Sequence, residues 1–115
     1  EKMTLYLQLA CYSAEGSKAV IDGGLAARRS AVEEMIRAVG GSVIGYYAVT
    51  NGEWHVAALV DLPSNLSHAD LGRLEMMQVA TGGVERLSLL PLASPEDFDS
   101  ASRAGEGSYR APGKA

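Results

Sequence analysis

The chain has 115 residues, 47% hydrophobic and 21% charged, with ten Lys and Arg against fourteen Asp and Glu for a net charge of -4. That length holds one domain with one core, and the composition is that of a folded chain. The acidic balance speaks against nucleic acid as a partner, and no apolar stretch approaches the roughly 20 residues that cross a bilayer, so no membrane partner is expected either.

From Met3 to Tyr12 apolar Met3, Leu5, Leu7, Leu9 and Cys11 alternate with Thr4, Tyr6, Gln8 and Tyr12, the period of a strand. Ser13 to Gly16 reads as a turn. A helical stripe follows through Leu25, Val32, Met35, Ile36 and Val39, with Arg28, Arg29, Glu33, Glu34 and Arg37 on the wet side. Gly23-Gly24 interrupts an early helical turn, so the main helix is expected from near Gly24 to the Gly40-Gly41 cap. Ser42 to Thr50 and Trp54 to Leu62 read as two strands joined through Asn51-Gly52, the signature of a type I′ hairpin. Pro63 ends the second of them. Ser64 or Ser67 caps a second helix carrying Leu71, Leu74, Met77 and Val79 and ending at Gly82-Gly83. Val84 to Leu92 is a fourth strand, placed at a sheet edge by Pro91. Ser94-Pro95-Glu96-Asp97-Phe98 opens a short helix with Phe98 as its anchor, and residues 99–115 form a tail.

The order strand, helix, strand, strand, helix, strand is the split βαβ arrangement, an α+β ferredoxin-like βαββαβ fold with a four-stranded antiparallel sheet over residues 1–98. On the third strand Trp54, Val56, Ala58 and Val60 point one way and Ala57 and Leu59 the other, so both sheet faces are apolar. Two helices cover only one face. Burying the other at about 25 cal/mol per Å² favours a homo-oligomer formed through the sheet.

The run Gly52-Glu53-Trp54-His55, after a strand with Tyr46-Tyr47 and before an apolar strand closed by Pro63, resembles the Gly-Glu-Tyr-Asp signature of the GYD-domain family. The similarity runs from residue 3 to 98 and includes Tyr6, Tyr12, Gly16, Gly40-Gly41 and Glu96-Asp97-Phe98. The resemblance implies a ferredoxin-like domain of the dimeric α+β barrel type and no settled activity. Trp54 stands for the usual tyrosine and His55 for the usual aspartate, so no catalytic role carries over.

In this topology the first strand lies between the third and fourth. Cys11 and Tyr12 therefore meet Trp54, His55, Glu85 and Arg86, gathering a thiol, an imidazole, a carboxylate and a guanidinium at one end of the sheet. His55, Trp54, Cys11, Tyr12, Tyr6 and Tyr47 are the candidate ligand-binding residues, because imidazole changes role between about pH 5 and 8 and tyrosine joins apolar area to a polar handle. Each also has a plain reading: Cys11 as a small buried hydrophobe, the tyrosines with Tyr46 as core or interface packing. Glu85 and Arg86, being adjacent, join one pocket only through a bulge. His55, Cys11 and His68 lack the spacing that pre-arranges metal ligands, so no metal is expected. Gly40-Gly41 and Gly82-Gly83 follow helices instead of preceding them, the wrong order for a phosphate cradle, and no cofactor is expected. The lone cysteine and the lack of a basic-then-apolar leader point to a cytoplasmic protein.

Two functions follow. One is a non-enzymatic oligomeric module that binds a small molecule or a protein partner. The other, resting on fold analogy, is a cofactor-independent oxygenase or isomerase of the dimeric α+β barrel type with His55 as base.

Overall fold

The computed structural model describes residues 2–50 and 52–114. In chain order they form β1 (Met3–Tyr12), α1 (Ala14–Gly23), α2 (Leu25–Ala38), β2 (Ser42–Ala48), β3 (Val56–Pro63), α3 (His68–Ala80), β4 (Val84–Pro91) and α4 (Pro95–Asp99), with a 3-10 turn at Glu106–Ser108. The sheet order is β2-β3-β1-β4 and every neighbouring pair is antiparallel, a ferredoxin-like α+β fold.

The segment expected as a turn after β1 begins a helix instead. Ser13 caps it by accepting the Gly16 N–H at 3.0 Å, and the helix runs on until Gly24 takes φ +94°, a conformation open to glycine, and re-aims the chain into α2. At the start of α3 Ser67 and Asp70 form a reciprocal capping box, so Ser67 and not Ser64 is the cap.

Alternation gives the sheet two unlike faces. Tyr6, Gln8, Ala10 and Tyr12 of β1 and Val56, Ala58, Val60 and Leu62 of β3 are all buried under the helices. Ile36 of α2 with Val60 and Leu62 are the largest side chains wholly removed from solvent, and truncating such a residue to Ala costs about 2–5 kcal/mol. The opposite face carries Leu5, Leu7 and Leu9 of β1, Ala57 and Leu59 of β3, Tyr47 of β2 and Leu90 of β4, and no helix among the described residues packs over it.

Both edges of the hairpin differ from expectation. β2 stops at Ala48 and β3 starts at Val56, and the last ladder pair is Ala48 with Val56. A two-residue turn at Asn51-Gly52 would pair Ala48 with His55, one residue out of step. Asn51 itself lies outside the described residues, so the type I′ geometry expected there does too. β4 is an edge strand as Pro91 required, and α3 protects it: the Glu75 carboxylate accepts the outward Leu89 N–H at 3.1 Å.

From Pro91, the last residue of β4, every described residue to Lys114 is exposed. The short helix expected there forms as α4, capped by Ser94, but Phe98 is 74% exposed and is no anchor among the described residues. The extended segment accounts for a radius of gyration of 17.3 Å, against about 13 Å for a compact chain of this length.

Candidate functional site

One hydrogen bond closes the 49–55 loop and two more tie it to the end of β1. The Val49 N–H donates to the His55 carbonyl at 2.9 Å, the His55 N–H to the Ala10 carbonyl at 2.9 Å, and the Tyr12 N–H to Nδ1 of His55 at 2.9 Å. The Tyr12 and His55 rings stack with centroids 5.9 Å apart and planes 12° off parallel. An Nδ1 that accepts a hydrogen bond carries no proton, so the neutral imidazole holds its proton on Nε2. His55 then offers its surroundings a donor and no free lone pair. Its side chain is exposed.

Trp54 and Arg86 form a second group. The guanidinium lies 4.8 Å from the indole centroid, and Nη2 donates to the Glu53 carbonyl at 3.2 Å. Its ion pair with Glu53 is 3.8 Å long between side chains 48% and 77% exposed, which places it among the weak surface pairs. Arg86 sits opposite Cys11 in the ladder and Tyr12 opposite Val84, so Glu85 is the extra residue of a bulge. Cys11 is 8% exposed; among the described residues its thiol makes one hydrogen bond, Sγ to the Tyr12 carbonyl, a weak one at 3.9 Å.

The sequence-derived candidates are thus divided by the sheet. Tyr12, stacked on His55, faces the helices, while Cys11 and Arg86 occupy positions of the open face. Trp54 follows Arg86 and not Val56, because the strand alternation begins only at Val56. Tyr6 belongs to the core at 7% exposure, opposite Val60 and so roughly 13 Å along β1 from Ala10. Tyr47 lies on the open face, 64% exposed, with its ring folded over Gly45. Among the described residues no three His, Cys, Asp or Glu gather to hold a metal, and His68 opens α3 at the far end of the sheet.

On the helix side the Tyr12 hydroxyl meets the Tyr46 hydroxyl at 3.2 Å. Burial, then the bond to Tyr12, pushes the Tyr46 hydroxyl well above the usual tyrosine range, against a smaller downward pull from the Arg28 charge. Arg28 lines two adjoining hollows. One, of about 190 Å³, lies between α1, α2 and the α3–β4 connection, bounded by Tyr12, Glu15, Gly16 and Gly83. The other, of about 260 Å³, runs between α2 and α3 past Val32, Met35 and Met77, and both share Arg28, Thr81 and Val84. Arg28 is half-buried and makes no ion pair among the described residues.

The wet side assigned to Arg28 from sequence is therefore corrected. Arg28 lies three residues after Leu25 and four before Val32, in phase with the apolar stripe of α2, and that spacing was the available signal. The cleft is closed at one end where Ser13 donates to the Gly82 carbonyl at 2.8 Å and its N–H to the Gly83 carbonyl at 3.0 Å. Comparison with protein families, curated proteins and solved structures finds no match to this chain.

Proposed function

We propose that the protein is a non-enzymatic homo-oligomeric module of GYD type, in which two copies meet across their open sheet faces and each keeps a helix-side cleft for a small molecule or a protein partner. The observation that carries the reading is the uncovered face itself. Leu7, Leu9, Ala57, Leu59 and Leu90 form its apolar centre, while Asp61, opposite Leu5, and Arg86, opposite Cys11, supply polar ends some 20 Å apart along β1. An apolar centre with a polar rim is the anatomy of a protein interface. Four strands of seven to ten residues present roughly 19 by 25 Å of flat area. That flat area alone is over half of the about 800 Å² per partner of a stable interface, and an identical face is the most economical cover.

The enzyme reading with His55 as base is the weaker one, because Nδ1 already accepts the Tyr12 N–H and Nε2 carries the proton. Sedimentation equilibrium at micromolar concentration tests the module: a mass of twice 12.1 kDa supports it, and 12.1 kDa contradicts it.

A further inference from the structure

We infer that the cleft around Arg28 is a binding site for a small organic monocarboxylate with an apolar body. This rests on the small-molecule part of the proposed function and not on the pairing of sheet faces. Arg28 is a half-buried guanidinium on the inward side of α2, without an ion pair or hydrogen bond among the described residues, and it borders both hollows. A guanidinium presents donors in a planar fork that fits a carboxylate in a bidentate pair. A lone cation kept beside apolar walls gains most from such a partner.

The second polar contribution comes from the hydroxyl pair. Tyr12 and Tyr46 own two hydroxyl hydrogens, and their mutual bond at 3.2 Å consumes one. With Tyr46 donating to Tyr12, the Tyr12 hydrogen is the free one, and Tyr12 lines the same hollow as Arg28. The chemistry of the rest of the wall selects the remainder of the ligand. Val20 and Val84 in one hollow and Val32, Met35 and Met77 in the next offer apolar contact. A volume of about 190 Å³ holds about six waters at about 30 Å³ each, which suits a small acid. Glu15, on the wall of that hollow, would repel a second anionic group, as would the net charge of -4. Dicarboxylates and phosphate are therefore disfavoured.

The test is titration of the ¹⁵N-labelled full-length chain with phenylacetate and isovalerate, followed by amide shifts, with phenylacetamide, succinate and inorganic phosphate as comparison probes. The expected result is saturable movement of Tyr12, Gly16, Thr81 and Gly83 with the two monocarboxylates and at least tenfold weaker binding of the amide. Arg28→Gln should weaken phenylacetate by about tenfold or more, the loss expected for a charged hydrogen bond, and Arg29→Gln, altering the exposed neighbour, should leave it unchanged. Tyr12→Phe should weaken it by a smaller factor and serves as a second reporter should Arg28→Gln misfold. Equal binding of phenylacetate and phenylacetamide, no change in Arg28→Gln and Tyr12→Phe, or shifts confined to the open face would overturn the inference. Preferred binding of succinate or phosphate in the cleft would overturn the ligand class while leaving the small-molecule reading intact. The mass of the same sample reads the oligomer separately.

Discussion

A β-carbon built on Gly16 would collide with the carbonyl of Gly83, which is backbone and cannot swing aside. The close approach is imposed by Ser13, whose N–H and hydroxyl both bond the 82–83 connection. Gly16→Ala should therefore destabilise the fold by about 1–3 kcal/mol, read as a lower midpoint in urea unfolding, and should loosen the wall of the Arg28 cleft. Tyr46 makes a prediction of opposite chemical origin. Its folded-state ionisation lies above the usual tyrosine value of about 10, so above that pH the unfolded chain releases a proton that the folded one keeps. Stability from this group is complete below about pH 10 and is lost as pH rises further. In alkaline titration at 295 nm, Tyr46 should resist ionisation until the protein unfolds, and Tyr46→Phe should take one tyrosine out of the resistant step. A resistant step of the same size in Tyr46→Phe would contradict the assignment. At this scale the sequence was only partly legible. The partnership of Tyr12 with His55 followed from topology, but Arg28 was hidden by its charge, because a cation in phase with an apolar stripe looks like one more solvated helix residue.

Elements were the most legible level, since period and punctuation act locally. β1 runs from Met3 to Tyr12 as its alternation dictates, α3 starts at its capping box, and Gly40 and Gly82 end helices with φ of +90° and +87°. The hairpin was the exception. The described ladder ends at Ala48 with Val56, a register fixed by β3 burying Val56, Ala58, Val60 and Leu62 and one residue out of step with a two-residue turn. The longer loop is what frees Trp54 to reach Arg86 and His55 to reach Tyr12. The β4 edge supplies an element-scale prediction. Glu75→Ala removes the acceptor of the Leu89 N–H and should raise amide exchange at Leu89 without disturbing the β1–β4 pairs. Unchanged exchange there would show that the edge owes nothing to Glu75.

The whole molecule has a covered face and an uncovered one, and this asymmetry is the feature that composition alone could not fix. Alternating apolar residues on both sides of β3 made the problem visible in the sequence. Which side the helices take is decided by the right-handed crossovers of the two βαβ halves, and the structure puts Val56 under the helices and Ala57 outside. Phe98 was legible as part of a capped helix but not as an exposed one, because nothing local reveals whether an aromatic finds its own core. The direct measurement of the central claim is a pair of substitutions read by circular dichroism and sedimentation equilibrium. Val56→Asp places an unpaired carboxylate at a position 3% exposed and should unfold the chain. Ala57→Asp, opposite Leu9 and Tyr47 on the open face, should keep the native spectrum and reduce the mass from twice 12.1 kDa to 12.1 kDa. A folded Ala57→Asp protein with the same mass as wild type would contradict the claim that the open face is where two copies meet.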